Sequence, residues 1–397
     1  MKYDFDTVVS RYSTGSVKYD SQEANDMPGD VLPMWVADMD FPAPEEIREK
    51  MKSLCDFGIY GYTMITDEYF EAVKGWMSDR FNWQVRRQWL VTTPGIVFAL
   101  ATAVKAFTQP GDGVLIQQPV YYPFTNVIKD NDRVVVNSGL RYEDNRYVID
   151  FDDLERRLAD DKVKLMIICS PHNPVGRVWT KDELEKIGKL CIRYNVKMVS
   201  DEIHSDFVYG DHRHVPLATV SEDIRENCVV CTAPSKTFNL AGLQVSNIFI
   251  PNREMRHAFK NEMNKTGLMG VNMMGLCACE AAYQWGGPWL DQLKIYLQDN
   301  IKFLKDYIKT KMPLIKVTET EGTYLVWMDL RALNLGHEGK VDQKTFIVNN
   351  AKLWLDSGTI FGKGGEGFER INVACPRAVL KEALARLEKA YIDMIGN

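Results

Sequence analysis

Short apolar runs closed by turn residues recur through the middle of the chain. Leu165-Met-Ile-Ile-Cys-Ser170 runs into Pro171-His-Asn-Pro-Val-Gly176. A run of that length against such a turn predicts a buried strand and a loop. Val196-Lys-Met-Val-Ser200 and Cys228-Val-Val-Cys-Thr232 predict two more strands, and Val114–Gln117 and Gln244–Ile250 a further pair. Helical stretches separate them. From about residue 46 to 285 the pattern predicts an α/β unit, a mainly parallel sheet covered on both faces. Upstream the chain reads as irregular until Phe41-Pro-Ala-Pro44, before the amphipathic stretch Glu45–Leu54. Downstream, Trp285-Gly-Gly-Pro288 breaks the chain ahead of a long helix, Trp289–Lys311. The last third mixes strands such as Tyr324–Leu330 with helices such as Val379–Ile395. The reading is a large domain at 46–285 and a smaller α+β domain from 1–45 and 286–397.

Three predicted strand ends carry polar residues suited to chemistry: Asn173, Asp201 and Lys236. Their intervals are each about thirty residues, the length of a strand–helix–strand unit. Parallel strands bring such residues to one edge of a sheet, where open α/β folds keep their ligands. A lysine amine forms a Schiff base with an aldehyde cofactor or a carbonyl substrate. Pyridoxal 5′-phosphate needs that lysine, a carboxylate for its ring nitrogen, a donor to its ring hydroxyl and a phosphate cradle. Lys236, Asp201 and Asn173 fill the first three roles. Thr93-Pro94-Gly95-Ile96-Val97 opens an apolar stretch reaching Phe107. Free N–H groups at a helix start favour an anion there. Ser235 adds a hydroxyl, and Tyr121 and Tyr122 offer ring faces for stacking.

Blander readings compete at each position. Lys236 alone reads as a surface lysine, and Asp201 as a helix N-cap. Arg370 reads as an exposed strand arginine in a weak surface ion pair. Tyr60 and Tyr62 read as turn packing. Cys228-Val-Val-Cys231 has redox or zinc spacing. Its β-branched middle favours a core strand instead. His212-Arg-His214 has no partner motif for a metal and reads as a surface or rim loop.

The combination is identifiable. Thr93-Pro-Gly95, Asn173-Pro-Val-Gly176, Asp201-Glu-Ile-His204, Ser235-Lys236 with Gly242, and Arg370 in Arg370-Ile-Asn-Val-Ala-Cys-Pro376 carry the resemblance. The chain resembles fold-type I pyridoxal-phosphate enzymes of the class I/II aminotransferase superfamily. Pro33-Met-Trp-Val-Ala-Asp-Met-Asp-Phe41, Tyr60-Gly-Tyr62 and Asp201-Glu-Ile-His204-Ser-Asp206 resemble the MalY- and PatB-type cystathionine β-lyase, or C–S lyase, subgroup. The resemblance implies a homodimer with shared active sites. It implies Lys236 as catalytic lysine, with Gly95, Ile96, Val97, Tyr121, Asn173, Asp201, His204 and Ser235 around the cofactor. Tyr62 would enter the neighbouring subunit's site near the phosphate. Arg370 would take the substrate α-carboxylate, with Tyr121 and Trp35 beside the substrate and the backbone near Val36–Ala37 at the entrance. Asp38 and Asp40 receive no role.

Two positions depart from the aminotransferase pattern. Gln244 stands where many aminotransferases carry an arginine on the phosphate, and His204 where many carry a tyrosine against the ring hydroxyl. Both agree with the lyase subgroup. The expected reaction is β-elimination from L-cystathionine and related cysteine S-conjugates. The alternatives are an aminotransferase with the same lysine, and a regulator that binds a partner protein.

Composition narrows the field. The 397 residues are 45% hydrophobic and 26% charged, ordinary for a globular protein. A net charge of −6 and pI of 5.7 argue against a nucleic-acid surface. Arg86-Arg87 and Arg156-Arg157 read as solvated faces. Met1-Lys-Tyr-Asp-Phe-Asp6 has no apolar signal core, and no apolar run suits a membrane span. The 8 cysteines fit a reducing compartment, so the expectation is a cytoplasmic enzyme without a metal.

Overall fold

The computed structural model describes residues 3–337 and 340–396. Among them, a seven-stranded sheet forms the centre of the molecule. Its strands are β1 (Leu90–Thr93), β2 (Gly113–Ile116), β3 (Val134–Asn137), β4 (Val163–Cys169), β5 (Lys197–Asp201), β6 (Cys228–Thr232) and β7 (Ser246–Phe249). The spatial order is β1-β7-β6-β5-β4-β2-β3. Only β7 runs antiparallel, against β6 on one side and β1 on the other. The remaining pairs, β6 with β5, β5 with β4, β4 with β2 and β2 with β3, are parallel.

These strands are near-continuous apolar runs because both faces are covered. Along β4, Leu165, Ile167 and Cys169 enter one core cluster, with Leu100 and Phe259 from the helices Ile96–Phe107 and Arg253–Asn264. Met166 and Ile168 point the other way, into a cluster shared with Leu184 and Ile187. The alternation follows the two-residue period of a strand. Cys228 and Cys231 are fully buried on β6, as a core strand requires.

A second sheet holds β8 (Lys316–Val317), β9 (Leu325–Asp329), β10 (Asp356–Ser357) and β11 (Phe368–Asn372), in the order β8-β9-β11-β10. All its pairings are antiparallel. The N-terminal arm joins this part of the chain: Leu32–Pro33 pairs in parallel with Leu353–Trp354. The larger buried cluster runs without interruption from Phe5 to Tyr391. Helices Gly287–Lys311 and Arg377–Ile395 pack against it through Leu293, Leu297, Leu384 and Leu387.

One loop differs from its sequence reading. His214 was expected on a surface or rim, but its side chain is 2% exposed. Its Nε2 lies 2.8 Å from Glu202 Oε2, and its ring meets Phe81 edge-on. Glu202 also accepts from Ser200 Oγ and the Leu217 N–H, each at 2.9 Å. A buried carboxylate needs such donors, and the sequence does not reveal that His214 supplies one.

Candidate active site

The carboxyl ends of β4, β5 and β6 lie side by side, with Cys169 opposite Asp201 and Asp201 opposite Cys231. Asn173 follows β4, Asp201 ends β5, and Lys236 sits on the short helix Pro234–Thr237 after β6. Asp201 is therefore a strand-end residue, not a helix cap. All three line one cavity of about 160 Å³. Gly95, Ile96, Val97, Tyr121, His204 and Ser235 line it too. Nine residues selected from the sequence thus meet in one place. Gln244 completes part of the same wall, with Ala37, Cys169, Ile203, Ala241 and Val245.

The candidate phosphate cradle is built from backbone. Gly95 has φ +97°, a conformation an L side chain rarely adopts, although nothing crowds its missing Cβ. That turn starts the helix Ile96–Phe107 without a side-chain cap. Its first N–H groups stay available to an anion, reinforced by the helix dipole.

Desolvation controls the charges. Lys236 is pushed down to about 8, first by burial and then by the Arg370 charge. Asp201 is pushed up to about 7 by burial, which its bond from the Ile203 N–H and the nearby Lys236 only partly offset. That bond is 3.2 Å long and engages Oδ1. Such a buried carboxylate suits a cationic N–H partner, as a pyridinium ring provides. His204 is held well below its ordinary value by burial, then by Lys236 and Arg370, so its imidazole is neutral. Its Nδ1 is buried and unpartnered. This donor set fits pyridoxal phosphate.

Arg370 lies just outside the cavity on β11 and is only 2% exposed. The exposed ion pair considered from the sequence is thus replaced by a buried one. Arg370 Nη2 binds the Asp356 carboxylate and, at 2.7 Å, the Trp35 carbonyl. Its Nη1 donates to Asn173 Oδ1 at 3.0 Å. That bond sets the Asn173 amide, leaving Nδ2 as the donor for the cavity. Trp35 takes part through this carbonyl. Its ring stacks on Trp354 at 4.4 Å and does not line the cavity. Tyr62 is fully exposed and lies outside the cavity of its own chain.

Sequence reasoning missed the clamp on the arm. The carbonyls of Val36 and Asp38 both accept from Asn372 Nδ2 at 2.6 Å. Ala37 accepts from Lys236 Nζ at 2.7 Å and Tyr324 Oη at 2.9 Å. Asn239 Nδ2 binds the carbonyls of Met39 and Phe41, and its Oδ1 accepts from the Met39 N–H. Asp38 and Asp40, unassigned from the sequence, anchor the arm beneath. Arg11 bridges both, and the fully buried Lys18 binds Asp40 at 2.8 Å. A buried lysine so early in the chain, two residues from Asp20, carries no local signal of this role.

Comparisons with known proteins agree with the fold. The model of the family "Aminotransferase class I and II" matches residues 24–387. The chain belongs to this family. It is 44% identical to the cystathionine β-lyase PatB of Bacillus subtilis, over 98% of this chain and 99% of that protein. It is 34% identical to the protein MalY of Escherichia coli, over 98% of each. Among solved structures, cystalysin from Treponema denticola, described as containing a pyridoxal 5′-phosphate cofactor, superposes with a TM-score of 0.95. It shares 42% identity over 99% of this chain and 100% of its own.

Proposed function

We propose that the chain is a pyridoxal-phosphate-dependent C–S β-lyase that cleaves L-cystathionine and related cysteine S-conjugates to pyruvate, ammonia and a thiol such as homocysteine. The observation that carries this reading is the convergence of Lys236, Asp201 and Asn173 on one cavity at adjacent strand ends. The similarity to PatB supports the reaction type. When bound, pyridoxal phosphate supplies an electron sink for charge developing at the substrate Cα.

The chain's own residues do the rest. Asp201 would hold the ring nitrogen, and the Asn173 amide would donate to the ring hydroxyl beside the neutral His204. Tyr121, in the cavity wall, would offer its ring face to the cofactor. The N–H groups of Ile96 and Val97 and the Ser235 hydroxyl would hold the phosphate. Arg370 takes the substrate α-carboxylate. Lys236, its amine lowered to about 8, is neutral in a useful fraction near neutral pH and removes the α proton. General-base catalysis of this kind contributes about 10²–10⁴ in rate. Gln244 is a neutral wall beside the phosphate, where an arginine would add charge.

The assembly is a homodimer with shared sites. Phe57, Ile59, Tyr60, Tyr62 and Met64 are more than half exposed along one segment, an apolar surface that suits a partner. Tyr62 of each chain serves the partner's phosphate. The chain divides into a large cofactor domain at 46–285 and a small domain from the arm and the C-terminal third. All eight cysteines are free thiols, which supports a cytoplasmic location.

The test is keto-acid dependence. With L-cystathionine and no added keto acid, the purified enzyme releases pyruvate, ammonia and homocysteine continuously. Turnover that stops unless a keto acid is supplied makes the protein an aminotransferase instead.

A further inference from the structure

Arg370 has five N–H donors, one on Nε and two on each Nη. Nη2 is fully committed, to the Trp35 carbonyl and to Asp356 Oδ2. One Nη1 hydrogen goes to Asn173 Oδ1. Nε is buried and without a partner. A carboxylate binds guanidinium best through two parallel N–H groups. Both available edges, Nη1 with Nη2 and Nε with Nη2, use an Nη2 hydrogen. A substrate carboxylate therefore has to take the place of one present acceptor.

The two acceptors are not equally movable. The Trp35 carbonyl belongs to the clamped arm. Met34 before it pairs with Trp354 and Asn372, and Val36 after it is held by Asn372. Asp356 is a side chain on β10, a two-residue strand at the edge of its sheet. Its carboxylate has rotamers to move through. Its charge also reaches the half-buried Tyr122 hydroxyl, which burial first and then this carboxylate hold above its ordinary value.

We propose that Asp356 is an internal competitor for the substrate: its carboxylate occupies the Arg370 fork until the substrate α-carboxylate displaces it. The proposal rests on Arg370 as the carboxylate subsite, but not on which reaction follows. Asp356 serves two ends. It keeps the buried guanidinium paired when no substrate is present, where an unpaired charge is costly. It also lowers the affinity for any amino acid, because each bound carboxylate has to replace an existing ion pair.

The test uses (methylthio)propionate, a monocarboxylate thioether without an amine. It cannot react with the cofactor, so its binding is independent of whether the enzyme eliminates or transaminates. Titration calorimetry on the cofactor-loaded protein gives the dissociation constant. Asp356→Asn should tighten binding at least tenfold. Adding Arg370→Ala should abolish that gain. A residue that merely orients Arg370 gives the opposite result. Unchanged or weaker binding by Asp356→Asn, at normal cofactor content, overturns the proposal. Asp356→Ser, which leaves room for water beside the guanidinium, is measured in parallel. If neither variant folds, Asp356 is a structural partner of Arg370 and the proposal also fails.

Discussion

Lys236 Nζ donates a 2.7 Å hydrogen bond to the carbonyl of Ala37, a residue nearly two hundred positions earlier in the chain. The candidate catalytic lysine is therefore held from the arm as well as from its own strand end. Tyr324 Oη shares the same carbonyl, so three separate parts of the chain meet at one oxygen.

Covalent attachment of the cofactor checks the lysine directly. Purified protein should be yellow, and borohydride should fix the label to a single peptide containing Lys236. Lys236→Ala should take up no covalent label. A label on another lysine removes Lys236 from the role.

Asp201 gives a pH-dependent prediction. Its folded-state value of about 7 lies above the ordinary 3.8. A carboxyl raised in this way favours the folded state while protonated and opposes it once ionised. The cofactor-free protein should lose stability as pH rises between about 4 and 7. Cofactor-free Asp201→Asn should escape that loss. It should melt higher than cofactor-free wild type at pH 8, by ~1 kcal/mol or more. The advantage should shrink as pH falls. With cofactor added, the order reverses, because only the carboxylate pairs with the ring nitrogen. Melting curves at two pH values, with and without cofactor, decide it.

Asn239 tests the clamp. Its side chain makes three hydrogen bonds to the backbone of Met39 and Phe41. Asn239→Ala leaves those groups unsatisfied, at about 1–3 kcal/mol for a buried group. Melting temperature should fall, and the arm should become more accessible to protease near residue 39. If proteolysis and melting are unchanged, the arm is held adequately without this residue.

Arg370→Ala should lose catalytic efficiency by about 30-fold or more, the equivalent of 2 kcal/mol or more in transition-state binding. As the exposed strand arginine of the blander sequence reading, this residue would be dispensable to the fold. The buried Asp356 changes that expectation, since removing one partner of a buried pair costs about 3–5 kcal/mol. The single variant should melt lower than wild type. Arg370→Ala combined with Asp356→Ala should regain much of the stability but none of the activity. A single variant as stable as wild type shows that Asp356 finds another partner without cost.

The residues of the candidate site are local signals in the sequence, and that is why they could be proposed from it. Asn173, Asp201 and Lys236 each follow a short apolar run, and a parallel sheet with regular crossovers leaves only one edge for such positions. Gly95 marks a backbone turn that few other residues tolerate, so the turn that opens the candidate cradle was visible too. The contacts of Arg370 were not. Whether an arginine on a strand is exposed or buried depends on what packs over it, and Asp356, Trp35 and Asn173 come from three different segments. The same holds for the arm, whose carbonyls are satisfied by Asn239, Asn372, Tyr324 and Lys236. Hydrogen bonds between distant segments have no period and no motif in the chain. Strand periodicity determines which residues reach the edge of the sheet. Only the folded chain decides which distant donors and acceptors find each other once water is excluded.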